Sequence, residues 1–192
     1  MRLLPIAVLV FVTSLSAEQS AAPVILTVPT PTPQRFELAV EVELQWLGPA
    51  PITAMRPTSQ SSLKISSAGR TVFETSGART LQQMGLRASA LKAENPGAEA
   101  YLVLYEAGQP RSEATRSLLG REIAVLFNRK GDHSKALRNA GGLEPTPLPA
   151  VPNAYVVKAE GPEAALDLVR VLQALPGVTA AYPLLKKQRF GR

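Results

Sequence analysis

The stretch from Asn153 to Pro183 allows few folds. Tyr155, Val156 and Val157 are aromatic or β-branched and favour a strand. Gly161-Pro162-Glu163 then opens a helix: proline at the first helical position loses no bonded N–H, and Glu163 sets negative charge on the positive helix end. Ala165, Leu168, Leu172 and Leu175 recur at helical spacing and predict one apolar seam. Pro176-Gly177 stops the helix. Val178, Ala180 and Tyr182 alternate as a second strand does, and Pro183 is expected to end it. Two strands joined by a helix in one sheet require a crossover, which is nearly always right-handed.

Upstream, Arg121–Phe127 predicts a strand with Ile123, Val125 and Phe127 on one side. Ser134–Ala140 predicts a short helix with Asp132 or Ser134 as its cap, closed by Gly141-Gly142. Leu143–Leu148, broken by Pro145 and Pro147, fits only an edge strand or a loop. The order strand, helix, weak strand, strand, helix, strand is the split β-α-β layout of a ferredoxin-like domain, with both helices on one face of the sheet. The strands around Ala124, Leu126 and Val156 are apolar on both faces, so the second face needs cover, from the preceding unit or from a partner protein.

That preceding unit is a smaller α/β segment. Phe36, Leu38, Val40, Val42, Leu44 and Trp46 alternate with Glu37, Glu41, Glu43 and other residues, predicting a half-buried strand with the glutamates on its solvent side. Trp46 reads as a core or edge residue. Residues 48–68, rich in proline and serine, read as loop. Thr71–Phe73 predicts a short strand. Ala78–Ala93 predicts a helix lined by Leu81, Met84, Ala88 and Leu91, and Tyr101–Tyr105 a buried strand. Ser112–Leu119 reads as a short helical turn or a loop. The fold class is thus α+β, divided into a leader (1–17), a Thr/Pro-rich linker (18–33), the small unit (34–119), the ferredoxin-like domain (120–185) and a basic tail (186–192).

The leader, Met1-Arg2 followed by a continuous apolar run and small residues at Ser14, Ser16 and Ala17, has the form of a secretory signal peptide. The run is short for a bilayer span, so export without stable membrane insertion after cleavage is expected. The chain has no cysteine, which excludes disulfides, thiolate metal sites and a cysteine nucleophile. Export without disulfides suits a bacterial periplasm or medium.

Of the formal charge of +6, much lies at the end of the chain, on Lys186, Lys187, Arg189 and Arg192. There is no basic face with interleaved aromatics, so nucleic acid is not expected as a partner. The tail can be a solvated terminus, a segment held by a protease, or a ligand for acidic lipid or nucleic acid. One histidine, His133, gives no metal-ligand spacing, and Gly141-Gly142 precedes no helix, so no metal or phosphate-bearing cofactor is expected. Asp132-His133-Ser134 are consecutive and point in different directions, which a catalytic triad cannot use.

Taken together, Arg121–Phe127, the Gly-Asp helix start, GGLEPTPLP, NAYVVKAEGPEAAL and LQALPGVTAAYP, preceded by YLVLYEAGQPRSEATRSLLGREI, resemble the propeptide region of secreted bacterial subtilisin-like serine proteases over roughly residues 100–185. The resemblance implies a ferredoxin-like domain whose bare sheet face docks on two surface helices of the protease catalytic domain, in cis or in trans. It also implies a folding assistant and inhibitor whose C-terminal tail lies in the active-site cleft. The matching tail positions are Tyr182, Pro183, Leu184, Leu185, Lys186 and Lys187. The family's protease domain, with its Asp, His and Ser, is not within these 192 residues, so the chain is expected to be part of a longer precursor or a stand-alone relative. A second reading is an exported ferredoxin-like module that binds a partner or a small ligand.

Overall fold

The computed structural model describes residues 23–46, 55–67 and 70–187, with the side chains of 65–67 left out; the leader and most of the basic tail lie outside these residues. Among the described residues the fold is α+β: nine antiparallel strands in one sheet and three helices on one of its faces. The elements are β1 (Val24–Val28), β2 (Gln34–Trp46), β3 (Ser61–Ser67), β4 (Arg70–Thr75), α1 (Leu81–Glu94), β5 (Ala98–Glu106), β6 (Arg116–Phe127), α2 (Ser134–Asn139), β7 (Leu143–Pro147), β8 (Ala154–Lys158), α3 (Pro162–Gln173) and β9 (Val178–Lys186).

Several expectations are corrected. β1 occupies the stretch read as a linker, and β3 the stretch read as loop. Arg116–Leu119 is the start of β6 rather than a turn, because it pairs with β5 from Leu102 to Tyr105. That pairing joins the two predicted units edge to edge, so the earlier unit extends the sheet instead of covering the later one.

Two long strands organise the sheet. One edge of β2 is shared by β1, opposite residues 34–38, and β4, opposite 41–45; β5 runs along the other edge. The pattern recurs at β6, where β5 and β8 share one edge and β9 takes the other. The ladders slip at matching places, between Leu38 and Val42 in β2 and between Leu119 and Ile123 in β6. The local strand orders are β3-β4-β2-β5 and β7-β8-β6-β9.

The helices obey the same correspondence. The buried residues of α1 are Met84, Gly85, Ala88 and Leu91; at equal spacing in α3 they are Ala165, Leu166, Val169 and Leu172. Pro96-Gly97 and Pro176-Gly177 end the two helices, both glycines at positive φ (84° and 82°), where a side chain would be strained. The chain is therefore a tandem structural repeat, β2–β5 and β6–β9. Its helices face one continuous core, with Leu166 of α3 packed into the core of the first repeat. The expected α3 seam is rotated: Leu166 and Val169 are buried, whereas Leu168 and Leu175 sit at the margin.

Local causes place the ends. Thr80 caps α1, its hydroxyl accepting the Gln83 N–H at 3.1 Å. At α2 the cap position is His133, not Asp132 or Ser134, although Asp132 Oδ1 accepts the Ser134 N–H at 2.9 Å. β9 runs through Pro183 rather than stopping there. Pro183 lies opposite Ile123, on the β6 register whose backbone groups turn to β8, so no ladder bond is lost. Its missing N–H faces the open edge of the sheet, where the Gln173 side chain also occupies the Ala181 carbonyl at 2.8 Å.

Candidate interaction surface

The face opposite the helices differs between the repeats. In the second, Ala124 lies between Val156 and Tyr182, and Leu126 between Ala154 and Ala180. Ile123, Val125 and Val157 turn to the helix side, so these alternate residues turn away from it. With Leu184 they form an apolar patch. Ala124 and Ala154 are buried by their larger neighbours; Leu126, Val156, Tyr182 and Leu184 are half-buried. Lys158, paired with Glu144, and Glu122 opposite it bring charge to one margin of the patch.

In the first repeat the corresponding face is polar. Glu43, expected on the solvent side, is 1% exposed. Its Oε2 accepts from Arg70 Nε at 2.9 Å and from Arg116 Nη2 at 2.5 Å, and Oε1 accepts from Gln45. Glu113, from the β5–β6 connection, reaches Arg70 at 3.2 Å. Burial alone would lower the Arg70 pKa, but Glu113 and Glu43 more than offset it and hold the guanidinium above its ordinary value. Glu41 is likewise buried and pairs with Lys64, whose pKa is raised chiefly by that hydrogen bond. The solvent-side expectation for Glu41 and Glu43 is thus corrected. Alternation identified their common face, but the bases that neutralise it arrive from β3, β4 and β6.

Between the two lies a small aromatic cluster: Ala39, Tyr101, Val103 and Leu118, with Tyr105 at its edge. Gly120 lets the Tyr101 ring lie against the β6 backbone, since a Cβ there would stand 2.7 Å from the ring. Lys186 lies over the same ring, 4.4 Å from its centroid, and Arg111 covers Tyr105 at 5.5 Å.

Tyr182, Pro183, Leu184, Leu185 and Lys186, matched to a cleft-bound tail, are strand residues zipped to β6. Tyr182 and Leu184 belong to the apolar patch, while Pro183 and Leu185 turn to the helix side. Only Lys187 of the six lies past the strand, and it pairs with Glu106 at 2.7 Å.

The polar triplet has a structural job. The His133 ring stacks on Phe127 at 3.8 Å, and its Nε2 lies 3.1 Å from the Arg129 carbonyl. Asp132 is held below the usual carboxylate range, first by the Ser134 hydroxyl and then by the Ser134 N–H. The imidazole bridges neither neighbour. Among the described residues no cluster of three metal-ligating side chains occurs, and no helix is long and apolar enough to cross a membrane. Comparison with protein-family models, with curated proteins and with solved structures finds no match to this chain.

Proposed function

We propose that this chain is an exported, non-catalytic, propeptide-like protein that binds a subtilisin-type serine protease domain, inhibits it and assists its folding. The single observation that carries the reading is the patch formed by Leu126, Val156, Tyr182 and Leu184 on a sheet face that none of the three helices among the described residues covers. A flat apolar sheet face of this kind suits docking against helices of another protein. In this reading β6–β9 is a ferredoxin-like domain: its strand order β9-β6-β8-β7, with α2 and α3 on one face, is the order a split β-α-β domain requires. The sequence resemblance supports the same assignment. The strand geometry shifts one detail of it: Tyr182 and Leu184 act as part of the docking face, and the segment entering a cleft begins at Lys187.

The test is inhibition of a purified subtilisin-type protease by the full chain. Val156→Glu places a charge at the centre of the patch and is expected to weaken inhibition by about a hundred-fold, the size of an interface hot spot. Thermal melts check that the variant is folded. A parent chain that inhibits no such protease and does not speed refolding of its catalytic domain overturns the proposal.

A further inference from the structure

β9 belongs to both repeats. Its first part, Val178–Pro183, lies opposite Ile123–Phe127, and Val178 and Ala181 pack in the core of the second repeat. The register then slips, and Leu185 and Lys186 lie opposite Leu119 and Leu118. That end of β6 is held on its other edge by Leu102–Tyr105 of β5, and Leu185 packs against the core of the first repeat. The strand therefore begins in one repeat and ends in the other.

Two side chains of β5 complete the seating. Lys186 lies over the Tyr101 ring, 4.4 Å from its centroid, and its ammonium donates to the Tyr101 hydroxyl. Lys187, the first residue past the strand, pairs with Glu106 at 2.7 Å. Both receiving groups are fixed. The Tyr101 ring is buried against Gly120, in the cluster with Ala39, Val103 and Leu118. Glu106 stands opposite the fully buried Phe36, and its N–H is bonded to the Thr115 carbonyl at 2.9 Å. A buried ring and a pinned strand end keep one position, whereas an unheld segment samples many.

We infer that the first repeat is a platform that seats the end of β9 and sets the direction in which the chain leaves at Lys187. Tyr101 and Glu106 are its positioning residues: they touch the chain's own segment and not the protease. The inference rests on the protease-binding reading, in which the segment entering a cleft begins at Lys187, and gives the first repeat its part in it. A segment held in one direction before binding loses less conformational freedom when a cleft takes it up.

The full chain and its variants Tyr101→Leu, Tyr101→Phe and Glu106→Lys are compared as inhibitors of one purified subtilisin-type protease. Hydrogen exchange, read by mass spectrometry, follows residues 178–182 and 184–187 in each chain. Tyr101→Leu is expected to weaken inhibition about ten-fold, the cost of re-ordering one residue of backbone. Tyr101→Phe keeps a ring under Lys186 and is expected to stay within about two-fold of the parent. Glu106→Lys, a surface change that sets two cations together, is expected to weaken inhibition about three-fold. In the Tyr101→Leu chain exchange is expected to quicken in 184–187 and not in 178–182. A parent chain that does not inhibit overturns the protease reading and takes this inference with it. A parent that inhibits no better than its Tyr101→Leu and Glu106→Lys variants leaves that reading standing and overturns this inference alone. Exchange that quickens along the whole of β9 also overturns it, because the aromatic cluster then holds the fold and not the exit.

Discussion

The repeats β2–β5 and β6–β9 share strand order, slip position and helix seam, yet line their reverse faces with opposite chemistry. Where the first repeat has Glu43, Gln45 and Arg70, the second has Ala124, Leu126 and Ala154 at the corresponding positions. The shared apolar seam belongs to the helix side, where each repeat must complete one core. The reverse face is not needed for that core and is free to diverge. The first repeat closes its own face with ion pairs and the β5–β6 connection, whereas the second leaves an apolar one. The reverse faces thus differ in chemistry where the helix seams agree in apolar spacing.

The largest expected effect breaks the closed face. Glu43→Gln strips the Arg116 guanidinium, 4% exposed, of its charged partner. An uncompensated buried charge costs about 3–5 kcal/mol, so urea unfolding of this variant is expected to lose that much. The paired change Glu43→Leu with Arg116→Met removes both charges and is expected to stay near the parent. A loss below about 1 kcal/mol for Glu43→Gln would mean that the ion pairs are incidental to the closed face.

How far the sequence carried this fold depends on the range of the forces involved. The strand–helix–strand unit from Ala154 to Tyr182 was readable because Gly161-Pro162 and Pro176-Gly177 act locally. β3 was not: Ser61–Ser67 has weak strand preference, Leu63 is 51% exposed, and the strand exists because β4 offers it a ladder. The burial of Glu43 was hidden for the same reason, since Arg116 is far away in sequence. The duplication left little more than the two Pro-Gly pairs, because its copies agree in apolar pattern and disagree in charge. The reverse face around Leu126 and Val156 could be anticipated, because Ala124 and Leu126 alternate with Ile123 and Val125 along one strand.

The junction between the copies is the next test. Gly120 corresponds to Ala39, but has no room for the methyl group that Ala39 carries. A methyl group there would stand 2.7 Å from the Tyr101 ring, which Lys186 covers and Val103 and Leu118 flank. Gly120→Ala is expected to cost about 1–3 kcal/mol in thermal or urea unfolding, the price of overpacking. Ala39→Gly, which only loosens a strand, is expected to cost about 0.5–1 kcal/mol.

Across the same junction Glu99 ties Lys92 of α1 to Arg121 of β6, at 3.0 and 2.9 Å. Burial alone would raise its pKa, but the two cations more than offset it and the pKa is lowered. A lowered carboxylate pKa stabilises the fold above the unfolded value and loses that contribution as pH falls through the folded one. Relative to Glu99→Gln, the parent is expected to be more stable at pH 6 by about 1 kcal/mol or less and to converge with the variant toward pH 3. A stability difference unchanged over that range would show that the clip carries no charge-dependent energy.

The smallest effect is expected to run the other way. Gly85 of α1 corresponds to Leu166 of α3, and both are buried at the helix contact. A Cβ on Gly85 would meet the Glu163 carboxyl carbon at 2.2 Å and its Cγ at 2.4 Å, on its face a closer collision than the 2.7 Å approach at Gly120. The obstacle differs in kind. Glu163 is a flexible side chain at the helix margin, and its Oε2 has no hydrogen-bond partner where it lies. Swinging it into water relieves the collision and hydrates that oxygen. Alanine in place of glycine inside a helix is worth about 1 kcal/mol. Gly85→Ala is therefore expected to raise Tm by about 2–4 °C, where Gly120→Ala lowers it. A fall in Tm for Gly85→Ala would mean that Glu163 is held in place, and that the contact between α1 and α3 is as rigid as the aromatic cluster on the other face.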